Sequence, residues 1–231
     1  MTMIAHSKII NNTDEAISTC INNIKLRGVL SELCVDVIKR DDKVTIKYKG
    51  VVDVNNAFIP IYGVVNNYSD MFHRTIDTLE SLTAELEVVY EDGELVSQGY
   101  NNQASIVYVD GKILSQDAIF VSYIALNTTT TMTDWTSTLC GIVDEINVEQ
   151  STLSLFVINS NHHQNIVLPC RDVSNVKVGD MVECAVKLQD YQHGHPPMYC
   201  EQCVKMPIKI DDNILQNAKK EYEIYQGVMQ K

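Results

Sequence analysis

Hydrophobic and polar residues alternate with a period of two in several stretches of the N-terminal half, which is typical of strands with one buried face. The alternation predicts five strands, at Ile24–Val29 with a bent continuation through Leu33 and Val37, Lys43–Val54, Phe58–Val65, Ala104–Val109 and Ile119–Leu126. Turn-forming residues separate them at Asp41-Asp42, Asn55-Asn56 and Asp110-Gly111, and Gly50 marks a bulge or bend.

Between the third and fourth of these strands the period lengthens to that of an α-helix. Residues at intervals of three and four predict a helix of about 15–19 residues with one apolar face, formed by Phe72, Ile76, Leu79, Thr83 and Leu86. Asp70 is the expected N-cap. Three strands, a helix and two strands follow the order of an OB-fold barrel, so we predict an N-terminal OB-fold domain at residues 1–130.

A second set of alternating stretches follows the same plan in shorter form. It predicts strands at Leu139–Ile146, Thr152–Ile158, Asn165–Leu168, Met181–Leu188 and Met198–Met206. The third and fourth of these leave no room for a long helix between them, which favours a reduced OB-like barrel at 131–210. After Asp211-Asp212 the spacing predicts a C-terminal helix at 211–231. The predicted class is mainly β, with two five-stranded OB-like barrels, an inserted helix in the first and a C-terminal helix.

The connection between the two predicted barrels has two interpretations. Residues 128–133 are five threonines around one methionine. The run is either a linker or an edge strand, because threonine favours strands.

Positive charge is concentrated in one segment of an acidic chain. The chain carries 18 basic and 30 acidic residues, a net charge of −12, yet residues 25–49 contain seven of the basic residues against four acidic ones. The alternation places five cations on one strand face: Lys25, Arg27, Lys43, Lys47 and Lys49. Lys39 and Arg40 lie in the connection between the two strands. The pattern indicates a face that meets a polyanion, and the alternative is an ordinary solvated face.

Two aromatic residues share one face of the third predicted strand. Phe58 and Tyr62 point one way and Ile59 and Ile61 the other. If the isoleucines face the core, the rings lie outward beside the lysines, and in the reverse register they are core residues. Single-stranded nucleic acids need cations for phosphates and rings for bases, and OB barrels bind them on strands two and three. Tyr48 lies on the same strand face as Val44 and Ile46 and is assigned to the core.

The sequence contains no motif of an enzyme or a cofactor site. His193-x-His195 with Cys200-x2-Cys203 has the residue types of a zinc site, but the cysteines fall in a predicted strand on which residues three apart face opposite ways. A Gly-rich phosphate loop, Gly-x-Ser-x-Gly and His-Glu-x-x-His are absent from the sequence. We therefore expect no enzyme activity, no metal and no cofactor.

The cysteine pattern and the hydropathy of the chain indicate the cellular compartment in which the protein is expected. The seven cysteines are scattered, mostly inside apolar runs, which favours free thiols in a reducing environment. No stretch has the length of a secretory signal or a membrane span. A cytoplasmic protein without a membrane partner is therefore expected.

Several segments of the sequence resemble phage-type single-stranded DNA-binding proteins built from tandem OB folds. They are Ile24–Val29, Ala104–Ile113, Cys140–Val143 and Val178–Asp180. The resemblance implies protection of single strands during DNA replication, recombination or repair in the cytoplasm of a phage-infected bacterial cell. Many such proteins end in an acidic tail that recruits partners, but residues 225–231 are not acidic.

The sequence thus predicts a non-enzymatic protein that coats single-stranded DNA without sequence preference. The expected binding residues are Lys25, Arg27, Lys39, Arg40, Lys43, Lys47, Lys49, Phe58 and Tyr62. Replication proteins and further copies of the chain stay open as additional partners. Two alternatives also stay open: a structural or replisome adaptor that uses its barrels for protein contacts, and an oligosaccharide-binding protein.

Overall fold

The structure, a computed structural model, describes residues 7–83, 85–91, 94–100, 104–127, 133–160, 162–190 and 196–229. Over these residues the chain forms β1 (Lys8–Ile10), α1 (Thr13–Thr19), β2 (Ile21–Arg40), β3 (Lys43–Val54), β4 (Ala57–Asn66), α2 (Phe72–Leu82), β5 (Glu85–Glu91), β6 (Glu94–Tyr100), β7 (Ser105–Ser115), β8 (Ala118–Leu126), β9 (Asp134–Asn147), β10 (Thr152–Val157), β11 (Gln164–Pro169), β12 (Met181–Leu188), β13 (Met198–Lys205), β14 (Ile208–Ile210) and α3 (Asp212–Met229). Strands dominate, which confirms the predicted mainly β class. None of the described helices is long and apolar enough to cross a membrane.

Each of the ten predicted strands overlaps a strand of the structure, and Lys43–Val54 and Met181–Leu188 agree at both ends. The predicted bend in the first strand is a register shift between Leu30 and Glu32. The shift leaves Ser31 as an extra, unpaired residue. Beyond it the odd-numbered residues of β2 face inward instead of the even-numbered ones, so that Leu30 and Leu33 both face the core.

The predicted hairpin turn at Asp110-Gly111 is wrong. β7 continues through both residues with a register shift against β8, and the chain turns at 116–117 instead. A Cβ on Gly111 would lie 2.4 Å from the backbone oxygen of Phe120. Close approach of two strands, not a tight turn, therefore explains this glycine.

The predicted helix is present but shorter than its spacing indicated. α2 ends at Leu82, and its N-cap is Met71, without a side-chain cap hydrogen bond, rather than Asp70. Leu86, assigned to the helix, lies in β5. The helical spacing continues into 85–90 by coincidence, while the valine-rich composition there favours a strand. β5 and β6 form an antiparallel hairpin, and β6 also pairs with β2.

The described residues divide into two compact units. The first unit comprises those within 24–136 and 188–197, and the second unit those within 7–23, 137–187 and 198–229. The short elements β1 and α1 thus group with the C-terminal part of the chain. The domain boundaries at residues 130 and 210 stay predictions.

The strands of the first unit pair in a closed path. β2 pairs antiparallel with β3 and β7, β3 with β4, and β7 with β8, while β4 pairs in parallel with β8. The path therefore runs β2–β3–β4–β8–β7 and returns to β2, which is consistent with an OB-like barrel. Fully buried aliphatic side chains fill its interior: Ile24, Leu26, Leu30, Val52, Ile59, Ile61, Val107, Val109, Ile113, Ile119 and Ile124.

The second unit repeats this pairing order. β9 pairs antiparallel with β10 and β12, β10 pairs with β11, and β12 pairs with β13. A parallel bridge between Cys170 and Cys200 joins the end of β11 to β13. The path β9–β10–β11–β13–β12 is again consistent with an OB-like barrel, and no helix lies between β11 and β12, as predicted.

All seven cysteines are free thiols, as the scattered spacing predicted, and six of them are buried. Cys34 is half-buried on β2. Burial raises the pKa of Cys20 and of Cys140 to about 11, so both thiols stay protonated at neutral pH. They act as small apolar core residues.

A buried tyrosine lies over a glycine on the neighbouring strand of the first unit. Tyr48 is paired with Gly63, is 5% exposed, and has a pKa raised by its burial. A Cβ at position 63 would lie 2.0 Å from the ring carbon Cζ of Tyr48. Glycine at this position therefore makes room for the ring, and the prediction that Tyr48 is a core residue is confirmed.

Substituting Gly63→Ala tests this packing. We expect the variant to lose roughly 1–3 kcal/mol of unfolding free energy, because the Tyr48 ring must leave its position. Urea unfolding followed by circular dichroism measures the loss. Gly227→Ala is the matched control: a Cβ there meets nothing within 4 Å, so it should leave stability unchanged or slightly improved. A Gly63→Ala protein as stable as the wild type would contradict this account.

Candidate nucleic-acid interface

The outer face of β3 and β4 places lysines directly opposite apolar and aromatic side chains. Lys49 is paired with Tyr62, and Lys47 is paired with Val64. All four side chains are exposed. Because Tyr48, Ile59 and Ile61 point into the core, the alternation of each strand sends these residues outward.

The three lysines of β3 form a row along the strand. Lys43, Lys47 and Lys49 are exposed, and none of them forms an ion pair with another described residue. The row spans about 20 Å at the usual rise of a strand. Three ammonium groups thus project from the outer face of β3.

The two predicted aromatic residues lie outward. Phe58 is 43% exposed and Tyr62 is 45% exposed, whereas Ile59 and Ile61 are fully buried. Of the two registers considered from the sequence, the structure has the one that turns both rings outward: Tyr62 lies opposite Lys49, and Phe58 lies opposite Asp53. Val64 is 50% exposed on the same face and was not predicted as a site residue, although its position two residues after Tyr62 places it on that face.

An open groove of about 490 Å³ lies on this face beside the Ser31 bulge. Lys49 and Tyr62 line one side of it, and Pro60, Cys34 and Glu32 line the rest with their neighbours. The groove thus combines a cation, an aromatic ring and apolar surface. Pro60 is tolerated in β4 because β4 pairs with β8 only at Ile61 and Tyr62.

Carboxylates flank the lysine row on the β2 side. Asp36 is paired with Lys47 across β2 and β3, and Glu32 lines the groove. No ion pair within 4.0 Å joins Asp36 to Lys47. The β2 side of the lysine row is therefore more negative than its β4 side.

The structure places Lys25 and Arg27 elsewhere on the first unit. They lie on the part of β2 that pairs with β7, beyond the end of the β2–β3 ladder. Lys25 forms an ion pair with Asp110 at 3.7 Å, and Arg27 forms one with Asp134 at 3.3 Å. All five predicted cations face away from the core, but these two are not contiguous with the lysine row and have carboxylate partners.

Lys39 and Arg40 lie at the tip of the β2–β3 hairpin, where Arg40 is paired with Lys43. Both side chains are exposed. Asp41 and Asp42 form the turn, and Asp41 has a φ of 50°, a conformation that aspartate tolerates in tight turns. Arg40 shares the face of the lysine row, whereas Lys39 is paired with Val44 and lies on the opposite face.

The second unit has no comparable row on its second and third strands. β10 (TLSLFV) and β11 (QNIVLP) contain no lysine or arginine. Arg171, just after β11, stacks over Tyr199 with its guanidinium carbon 4.5 Å from the ring centroid. Among the described residues, no group of three or more His, Cys, Asp or Glu side chains is arranged to hold a metal ion. His193 and His195 lie outside the described residues.

No protein-family model and no curated protein matches this chain. Among solved structures it is similar to a deletion variant of the single-stranded DNA binding protein from Thermus aquaticus, with 11% sequence identity and a TM-score of 0.39. That match covers 72% of this chain and 85% of the other.

Proposed function

We propose that the protein binds single-stranded DNA on the outer face of β3 and β4, and that both units are OB-like barrels. One observation carries the proposal: Lys49 lies opposite Tyr62 and Lys47 opposite Val64, on exposed neighbouring strands. A cationic row beside an aromatic and apolar row is what a flexible polyanion with planar bases requires. Strands two and three are also the binding face of an OB barrel.

In the proposed mode, phosphates follow the lysine row and bases turn toward β4. Lys43, Lys47 and Lys49 neutralise successive phosphates, and Arg40 extends the track at the hairpin tip, where Lys39 adds positive charge from the opposite face. Bases stack on Tyr62 and Phe58 and contact Val64 and Pro60. Stacking on a ring accepts every base, so the binding is sequence-tolerant.

The proposed function is binding without catalysis. A protein that covers single strands in this way protects them during replication, recombination or repair. A cytoplasmic location, which the cysteine pattern favours, and a phage-infected bacterial host, which the sequence resemblance implies, are parts of the same proposal.

The salt dependence of binding to oligo-dT tests this function. Three to five phosphate contacts predict a slope of log K against log [salt] of about −2 to −3.5, since each contact with a single strand contributes about −0.7. Affinity should therefore fall about 20- to 130-fold between 50 and 200 mM NaCl, as measured by fluorescence anisotropy. No binding at 50 mM NaCl would exclude the proposal and favour an adaptor role. Binding without salt dependence would exclude the phosphate track.

A further inference from the structure

The C-terminal helix lies on the face of the second unit that corresponds to the lysine and tyrosine face of the first. β10 and β11 are its second and third strands in pairing order. The inward side chains of β10 are Leu153, Leu155 and Val157, all fully buried. Ser154 and Phe156 point to the other face, yet they are only 6% and 1% exposed. The outer face of β10 is therefore covered.

α3 supplies the cover through its side chains. The Tyr222 ring meets the Phe156 ring edge to face, with centroids 5.8 Å apart and planes at 86°. The Lys219 ammonium lies 5.8 Å from the centroid of the same ring and forms an ion pair with Asp144. Phe156 is thus held between a ring and a cation, both from the helix.

Polar contacts fix the position of the helix along this face. Asp144 also accepts a hydrogen bond from the Asn165 amide at 3.2 Å, which ties the Lys219 contact to β11. Farther along α3, Glu221 lies 3.1 Å from the Nε2 atom of His163. The Nδ1 atom of His163 accepts a hydrogen bond from the backbone N–H of Asn159, so Nε2 carries the proton that is donated to Glu221. Tyr225 stacks on His162 with ring centroids 4.6 Å apart.

The charge of this face suits the helix and not a phosphate backbone. β10 and β11 contribute no lysine or arginine, and the barrel group that pairs with the Lys219 ammonium beside Phe156 is the carboxylate of Asp144. The ammonium group beside Phe156 belongs to α3. Without the helix, the face would present an aromatic ring next to an uncompensated carboxylate.

We propose that the outer face of β10 and β11 is a helix-docking surface whose occupant is α3, and that this face does not bind single strands, whether α3 is docked or released. The second clause rests on the proposed function of the first unit. Each chain then binds DNA through the first unit, and the second unit is a protein-contact barrel that holds a segment of its own chain.

Two variants that release the helix by different means test this inference. Tyr222→Ala removes the ring contact with Phe156, and Lys219→Glu places a carboxylate against Asp144 while leaving Tyr222 in place. Trypsin cleavage after Lys220, an exposed residue of α3, reports helix release by mass spectrometry. We expect both variants to be cleaved about tenfold faster or more, because the open helix becomes more populated. Glu223→Ala, at an exposed position one residue beyond Tyr222, is the matched control and should be cleaved at the wild-type rate.

A charge swap separates docking from general loss of folding. Combining Lys219→Asp with Asp144→Lys should restore part of the protection that Lys219→Glu loses, since the ion pair is rebuilt with its polarity reversed. Wild-type cleavage rates in both single variants would overturn the docking surface. Circular dichroism confirms that β structure is retained in each protein.

Oligo-dT titrations of the same proteins test whether the face of β10 and β11 binds single strands once α3 is released. Affinity and the number of nucleotides covered should stay within about twofold of wild type in the helix-release variants, because the bare face carries a carboxylate and no cation. A clear gain in either quantity would overturn the proposal and identify a second DNA face gated by α3. If the wild type does not bind DNA at all, the proposed function fails, but the cleavage results still decide whether α3 docks here.

Discussion

Reversing the charge of the lysine row, with Lys43→Glu, Lys47→Glu and Lys49→Glu combined, is expected to weaken oligo-dT binding about a thousandfold at 50 mM NaCl. Each reversal turns an attraction to phosphate into a repulsion, which at a protein surface corresponds to about tenfold in affinity. The slope of log K against log [salt] should fall in magnitude by about 2, because three contacts of about 0.7 each are lost. Anisotropy titrations at several salt concentrations measure both quantities.

A second triple variant controls for the change in net charge. Lys177→Glu, Lys187→Glu and Lys220→Glu alter the chain by the same number of charges, but all three residues lie in the second unit. This control should lose little affinity, since none of the three lysines belongs to the proposed track on β3. Equal losses in the two triple variants would contradict a local track on β3 and indicate general electrostatic attraction instead.

Removing the two outward rings, with Tyr62→Ala and Phe58→Ala combined, should weaken binding by a factor of about 100 or more. Base stacking on an aromatic side chain contributes about 1–3 kcal/mol per base. The salt slope should stay unchanged, because no phosphate contact is lost. This contrast with the lysine variant separates the two components of the proposed mode in one set of titrations.

Conservative changes at the same two positions serve as controls. Tyr62→Phe and Phe58→Tyr keep a ring in place and should bind within about twofold of wild type. Both side chains are nearly half exposed, so the alanine variants should remain folded. If the alanine variants bind as tightly as wild type, the rings do not contact bases, and the bound strand lies over the lysines alone.

The positions of the five strand cations show what the sequence periodicity can predict and what it cannot. Alternation correctly places all five away from the core, because a strand sends successive side chains to opposite faces. It does not say which neighbouring strand a residue meets. Lys47 and Lys49 meet β4, whereas Lys25 and Arg27 meet β7 and lie near Asp110 and Asp134. Those carboxylates are distant in sequence, and a local pattern contains no information about them.

The errors of the sequence analysis have similar causes. Asp110-Gly111 has the composition of a hairpin turn, but the glycine is needed where β7 and β8 approach closely. Leu86 continues the helical spacing of α2, but it belongs to a strand that pairs with β6. In both places a tertiary contact outweighs a local preference.

By itself the sequence determined the mainly β class, the positions of ten strands and the outward direction of the lysine side chains, because these follow from burying one face of each strand. The choice between the two registers of Phe58 and Tyr62 required the structure, in which the adjacent isoleucines are buried. Only the tertiary structure set Lys49 beside Tyr62, paired Arg27 with Asp134 and laid α3 over Phe156. Such contacts join residues far apart in the chain, and they depend on the pairing of whole strands rather than on the residues next to each position.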